Sequence, residues 1–344
     1  MKRAPFLAGV AATSVVTAYG RRRVAAQDLA TVRVGVLGIA TDAPIAIADQ
    51  KGYFRDHGIK IEYIRFTSSE GMLPLLAGTG LDMGQGSPGS SLYNAVIHGI
   101  DVRAVADSAT DPPGYGWAKL LIRSDLVKSG KYKSVKDLRG MTIAGAARAS
   151  ASSAQVAHLL AQAGLQYSDV KRVVLAYPEH VVALANGAID ASITIEPFAT
   201  LAVDNGSAVA ITGNDTFYPN QETSCMLCST ALIEQRRDVI VRYLCGFLLG
   251  VRYYRTALKD GHFSGPIGDE VVKIIAANTS QPESLVRRTT PTFIDPNGRL
   301  NLASMRSDLA FYKSQGFIEG NVTVEQVVDT TLSPEALKII GVAR

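Results

Sequence analysis

Three patterns in this chain bring together residue types that can do chemistry. "DMGQGSPGSS", residues 82–91, contains Gly84-x-Gly86-x-x-Gly89, and "VRAVAD" follows, ending on Asp107. A glycine triplet, a helix, a strand and then an acid is the layout that seats a dinucleotide pyrophosphate on a helix N-terminus. "CMLC", residues 225–228, has the spacing of a redox pair or of half a zinc site. Four turns concentrate hydroxyls and small residues where helices are expected to begin: "ATDAP" (40–44), "TSSEG" (67–71), "QGSPGSS" (85–91) and "ARASASS" (147–153). Such turns offer unpaired N–H groups and hydroxyls to an oxygen-rich anion.

The first two patterns weaken in context. The dinucleotide fingerprint belongs after the first strand of its domain, but here it follows the third. Its second and third glycines also flank Pro88, where backbone would have to approach phosphate. The cysteine pair lies in "SCMLCSTALI", which reads as a strand, so residues three apart face opposite ways. No second Cys/His pair accompanies them, and apolar packing is the expected role of Cys225, Cys228 and Cys245. His57, His98, His158, His180 and His262 are scattered without HExxH spacing, and no G-x-S-x-G elbow is present. The chemistry left standing is binding, with no catalytic group, cofactor or metal expected.

The elements that must position these turns alternate between strand and helix. "TVRVGVLGI" (31–39) is a β-branched strand, and "APIAIADQKGYFRDHG" follows as a helix with Pro44 in its first turn and Gly58 at its end. "IKIEYIRF", "LDMGQG" and "IDVRAVADS" read as further strands, with short helices between them. "DPPGYG" (111–116) then breaks the pattern, and "WAKLLIRSDL" is a strand with no helix before it. A second series runs from "MTIAGA" to "AVAITG" before another irregular stretch, "NDTFYPNQETS" (214–224), and the strand "CMLCSTALI". From about Glu234 the chain reads as mostly helical.

Two α/β series separated by two crossings predict two lobes on a double hinge. Lobe one takes residues 31–115 and 226–344, and lobe two, inserted, takes 116–225. The hinges fall near 111–117 and 214–226.

The start of the chain carries a different message. "MKR", the apolar run "APFLAGVAATSVVTAYG" and "VAAQ" have the layout of a secretory signal peptide, cleaved after Ala26, with Arg21–Arg23 as an unusual insertion before the site. Its five basic residues account for the chain's net charge of +4, and their removal leaves −1 over 318 residues. That balance gives no reason to expect a nucleic-acid partner.

The succession "VRVGVLG…PIAIADQKGYFRDHGIKIEYIRF", "LLAGTGLDMGQGSP", "VKDLRGMTIAGA…SSAQVAHLLAQAGL", "ALANGAIDASITIEPF" and "FIDPNGRLNLASMRSDLAFYKSQGFI" resembles a known group across nearly the entire mature chain. That group is the solute-binding proteins of ABC importers of the nitrate/sulfonate/taurine type, which also includes binders of thiamine-pyrimidine precursors. The resemblance implies an α/β, two-lobed type 2 periplasmic-binding-protein fold, with two mixed sheets, flanking helices and a two-crossing hinge. It further implies a periplasmic monomer that binds a small-molecule solute between its lobes and delivers it to a membrane permease. Fungal thiamine-pyrimidine synthases share the fold and are the enzymatic alternative, but "MLCST" is not their cysteine-rich iron motif.

Strand tips and helix beginnings are where an open α/β sheet binds its ligand. Ligand contacts are therefore expected from Thr41, Asp42, Ser68, Ser69, Gln85, Ser87, Ser150 and Ser152. The Ser, Thr and Asp residues among them also have a structural explanation as helix caps, worth ~1 kcal/mol each without any ligand. Arg148 could clasp a carboxylate or sulfonate, or stand solvated on the surface. Glu196 could accept from an amine on the solute, or stabilise the helix it precedes. Trp117 and Tyr218, at the crossings, are candidate walls for a ligand, and a small organic anion ranks ahead of a pyrimidine as the solute.

Overall fold

The computed structural model describes residues 29–78 and 80–343. The expected signal peptide, with Arg21–Arg23, lies outside them. Ten strands form two five-stranded mixed sheets. The first contains β1 (Ala30–Val36), β2 (Ile59–Arg65), β3 (Met83–Gly86), β4 (Val102–Thr110) and β10 (Glu222–Ser229), in the order β2-β1-β3-β10-β4. The second contains β5 (Ala118–Arg123), β6 (Thr142–Gly145), β7 (Lys171–Val174), β8 (Ala191–Ile195) and β9 (Ala208–Gly213), in the order β7-β6-β8-β5-β9.

The two sheets repeat one plan. In each, three neighbouring strands run parallel, and the strand that has just crossed from the other sheet enters antiparallel beside them. β5 enters after the crossing at 111–117, and β10 enters after the crossing that ends at Glu222. Because the parallel strands carry their helices on the return path, their carboxyl ends share one edge, free for a ligand. Among the described residues no helix is long and apolar enough to cross a membrane.

Cores form on both faces of the sheets. One apolar cluster joins Leu92 and Leu227 of the first half to Leu120, Ile143 and Ile193 of the second, with Met305 and Tyr312 of the C-terminal helix Leu302–Ser314. A second cluster seals the far face of the first sheet under the 20-residue helix Arg237–Thr256. Cys225 packs in the first of these clusters and Cys228 in the second. They stand three positions apart on the strand, and that spacing sends their thiols through opposite faces of the sheet. All three cysteines are free and buried.

Local sequence signals fail at two places. The helix expected over 43–58 is two pieces, Ala43–Gln50 and Tyr53–Asp56, because Gly52 takes a left-handed conformation between them. The strand expected to run on through "TALI" stops at Ser229, whose hydroxyl accepts from the Leu232 N–H and starts the helix Thr230–Gln235.

Candidate functional site

Strand geometry brings most of the hydroxyl-bearing turns together. A cavity of about 810 Å³ lies between the two sheets. The first sheet contributes Leu37–Ile39 and Thr41 after β1, Arg65–Glu70 after β2, and Gly86 and Ser87 at the tip of β3. The second contributes Ala146, Ala147, Ser150–Ser152 and Gln155 after β6, Ala176–Pro178 after β7, and Ile195 and Phe198 around the tip of β8. Trp117 and Ala118 at the start of β5, with Thr223 and Ser224 on β10, complete it at the crossings.

The glycine triplet has its place here. Gly86 lines the cavity because a Cβ would lie 2.9 Å from Leu227 Cδ1 and 3.2 Å from Ser69 Cβ. At Gly89 a Cβ would meet the Ala149 carbonyl at 3.0 Å, since the turn after β3 abuts the turn after β6. The Ser90 N–H donates to Ala149 O at 2.9 Å, and the Ala151 N–H to Ser87 Oγ at 3.4 Å. The two halves thus touch across the cavity through backbone and hydroxyl.

Of the residues singled out from sequence, Thr41, Ser68, Ser69, Ser87, Trp117, Ser150 and Ser152 line the cavity. Ser150 and Ser152 hydroxyls are 3.0 Å apart at the start of the helix Ala151–Gln162. The remaining five lie elsewhere, each for a physical reason. The Asp42 carboxylate turns back and accepts from the N–H groups of Leu37, Gly38 and Ile39 at 2.6–3.1 Å, shaping the turn after β1. Burial raises its pKa to about 6. Gln85 is spent on Thr41: its Oε1 accepts from the threonine hydroxyl at 2.9 Å, and its Nε2 donates to the threonine carbonyl at 3.0 Å. It positions a lining residue from behind.

Arg148 stands exposed with its guanidinium over the Phe317 ring, 5.3 Å from the centroid. Glu196 is buried in an ion pair with Lys119 at 2.8 Å, and its other oxygen accepts from the Thr200 N–H and hydroxyl. Tyr218 packs against His158 and donates to Asp308 Oδ1 at 2.5 Å. None of these last three lines the cavity.

Sequence reasoning overlooked Arg65, Phe66, Gln155, Tyr177 and Phe198. Arg65 ends the strand "IKIEYIRF" at its carboxyl tip, so the strand-tip rule that picked the serines applied equally to it. It is the one cation among the lining residues, with Glu70 the one acid. Its Nη1 and Nη2 lie 3.5 and 3.4 Å from the Asn278 carbonyl, longer than a good hydrogen bond. Gly38, at φ +69°, admits the guanidinium, since a Cβ there would come within 2.3 Å of Nη1. Phe66, Trp117, Tyr177 and Phe198 make the rest of the wall aromatic. A site with hydroxyls, one loosely held cation and four aromatic side chains suits an amphiphilic anion.

Behind the cavity the crossings hold buried acids. Asp107 accepts from the Asp295 N–H at 2.5 Å, Glu222 from the Asn301 N–H at 2.7 Å, and Asp111 from the Asn214 amide. Burial pushes all three carboxyls upward, and the Glu222 carboxyl is raised further by its neighbour Asp107. Asp107 and Glu222 tie β4 and β10 to the loop 295–301, and Asp111 joins the first crossing to the second.

Comparison with known proteins bears on the arrangement. The family described as NMT1/THI5 like matches residues 40–255. No curated protein matches the chain by sequence. Among solved structures, the alkanesulfonate-binding protein SsuA of Xanthomonas axonopodis pv. citri, bound to MOPS, superposes with a TM-score of 0.70 at 18% identity, covering 88% of this chain and 99% of that one. The periplasmic nitrate-binding protein NrtA of Synechocystis PCC 6803 gives 0.75 at 12% identity, covering 92% and 90%. The desulfurization enzyme DSZB gives 0.64 at 15%, covering 90% and 99%. The shared feature is the periplasmic-binding-protein fold.

Proposed function

The chain belongs to the NMT1/THI5-like family, and from that membership we propose that it is the extracytoplasmic solute-binding component of an ABC importer, capturing a small organic anion. The supporting observation is the cavity of about 810 Å³, walled by strand tips of both sheets, with Arg65 at one side and hydroxyls from both halves. Its volume falls in the range of ordinary small-molecule sites. The sulfonate and nitrate binders of the same fold support an oxyanion as the recognised group. Phe66, Trp117, Tyr177 and Phe198 add a preference for a solute with an alkyl or aryl body.

Capture works by differential affinity. A solute held by one half gains nothing from closure; one that bridges Arg65 and Ser68 to Ser150 and Ser152 favours the closed arrangement. Shifting the balance from 1:99 to 99:1 takes ~5.5 kcal/mol, within reach of a few charge-assisted and hydroxyl hydrogen bonds plus aromatic burial. The closed rim is then the surface offered to the permease. Domains divide at the two crossings, and the leader exports the protein as a monomer to the periplasm.

The test is a ligand screen of the mature protein against alkyl and aryl sulfonates, carboxylates, nitrate, taurine and pyrimidines. Binding is read by thermal shift and by the emission of Trp117, the sole tryptophan. A ligand at a hundredfold excess over Kd adds ~2.7 kcal/mol of stability. Recovery of the bound solute unchanged supports capture; conversion of a sulfonate or a pyrimidine precursor into product defeats it in favour of an enzyme. A screen in which pyrimidines alone respond would replace the anion with a thiamine-pyrimidine precursor.

A further inference from the structure

Arg172, on β7, is half-buried, and among the described residues no carboxylate pairs with it. Its Nε and Nη1 are sealed from solvent with no hydrogen-bond partner among the described residues. Arg33, Arg123, Arg139 and Arg237, by contrast, each pair with a carboxylate. Among the described residues the side chain that favours its charge is Tyr167, whose ring lies 5.7 Å from Cζ. A neutral phenol does not balance a cation. His180, nearby, is held neutral by burial, with its pKa lowered to about 4 and its ring nitrogens on Thr194 Oγ1 and Leu175 O. Glu179, on the same helix as His180, is occupied in accepting from the Ala176 N–H at 2.8 Å.

The direction of the guanidinium follows from Gly145 at the tip of β6. A Cβ at that position would lie 2.5 Å from Arg172 Nη2 and 2.9 Å from Ser152 Oγ. The missing side chain lets Nη2 pass over the strand end toward the serine that lines the cavity. Arg172 is not itself among the lining residues, but Nη2 and the lining hydroxyl of Ser152 both lie beside Gly145. Desolvating an ion without a partner is costly, and a chain retains such a residue where the partner arrives with a ligand.

We propose that Arg172, acting with Ser152, is a second charge contact for the sulfonate or carboxylate group of the solute, supplied by the half of the molecule opposite Arg65. This rests on the anion reading of the cavity and deepens it. With Arg65 on one sheet and Arg172 on the other, a single oxyanion reaches a cation on each side, and the attraction itself favours closure.

The experiment compares wild type with Arg172→Met, Arg172→Lys and Gly145→Ala. Thermal midpoints are measured without solute, and ethanesulfonate affinity is measured by calorimetry. Arg172→Met keeps the packing of the stem and removes the stranded charge. It is expected to melt at or above wild type when no solute is present, and to bind ethanesulfonate at least about tenfold more weakly. Arg172→Lys should retain part of the affinity, and Gly145→Ala should lose it by displacing Nη2. A merely structural arginine would behave in the opposite way: Arg172→Met melting below wild type without solute, or binding ethanesulfonate as tightly as wild type, overturns the assignment. A wild-type protein silent to ethanesulfonate and to every other anion of the screen defeats the anion reading itself, before any variant is made, and this inference with it.

Discussion

Replacing Arg65 by methionine removes the one cation that lines the cavity. Little holds the guanidinium where it is, since both contacts to the Asn278 carbonyl are at or beyond 3.4 Å. An anionic group about 4 Å away would feel about 4 kcal/mol of attraction at an effective dielectric near 20. Arg65 is exposed at the mouth, so solvent and salt take much of this back. A net loss of about 1–2 kcal/mol remains, which weakens binding roughly 5- to 30-fold. Calorimetric titration of the best sulfonate or carboxylate from the screen, at low and high salt, measures it. Wild type should lose affinity as salt rises, and Arg65→Met should respond much less. Gly38→Ala gives an independent route to the same result, because its Cβ would occupy the place of Nη1. Affinity of Arg65→Met within twofold of wild type at low salt would refute the role of this charge.

Two further outcomes follow from the buried groups. Glu196→Gln breaks the pair with Lys119 behind the cavity and should destabilise the protein by roughly 1–3 kcal/mol, judged against buried pairs that lose one partner, while leaving anion affinity unchanged; a denaturant titration beside the calorimetry separates the two effects. Burial raises the Asp308 pKa to about 7, so between its unfolded value near 4 and 7 the folded state holds a proton that the unfolded state has released, and this group's contribution to stability is lost as pH rises through that window. Asp308→Asn should therefore show a flatter fall in stability from pH 5 to 8 than wild type; equal slopes in urea titrations across that range would refute the assignment.

The alternation of β-branched strands with short helices, the Pro/Gly break at 111–116 and the irregular stretch at 214–224 were enough to read two α/β series and their crossings. Local chemistry carries that information: period-two strands, Pro44 in the first turn of a helix, glycine at helix ends. The same rules led to Thr41, Ser68, Ser69, Ser87, Ser150 and Ser152, because parallel strands bring their carboxyl ends to one edge whatever the details. The sequence also places five basic residues and no acid in residues 1–26, where a leader is expected.

Which polar side chain faces the cavity and which turns away was settled only by packing. Asp42, Glu196 and Tyr218 carry the right chemistry at the right places in the sequence, yet each found a closer partner: three backbone N–H groups, Lys119 and Asp308. Those partners are 3 to 90 residues away along the chain, and the more distant of them meet only in the folded molecule. Arg65 and Arg172 show the converse. Nothing in "YIRF" or "VKRVV" sets either arginine apart, and their meaning comes from what the fold withholds: a firm acceptor from the first, and any counter-charge among the described residues from the second. A sequence determines which groups are available; competition among them in three dimensions determines which remain for a ligand.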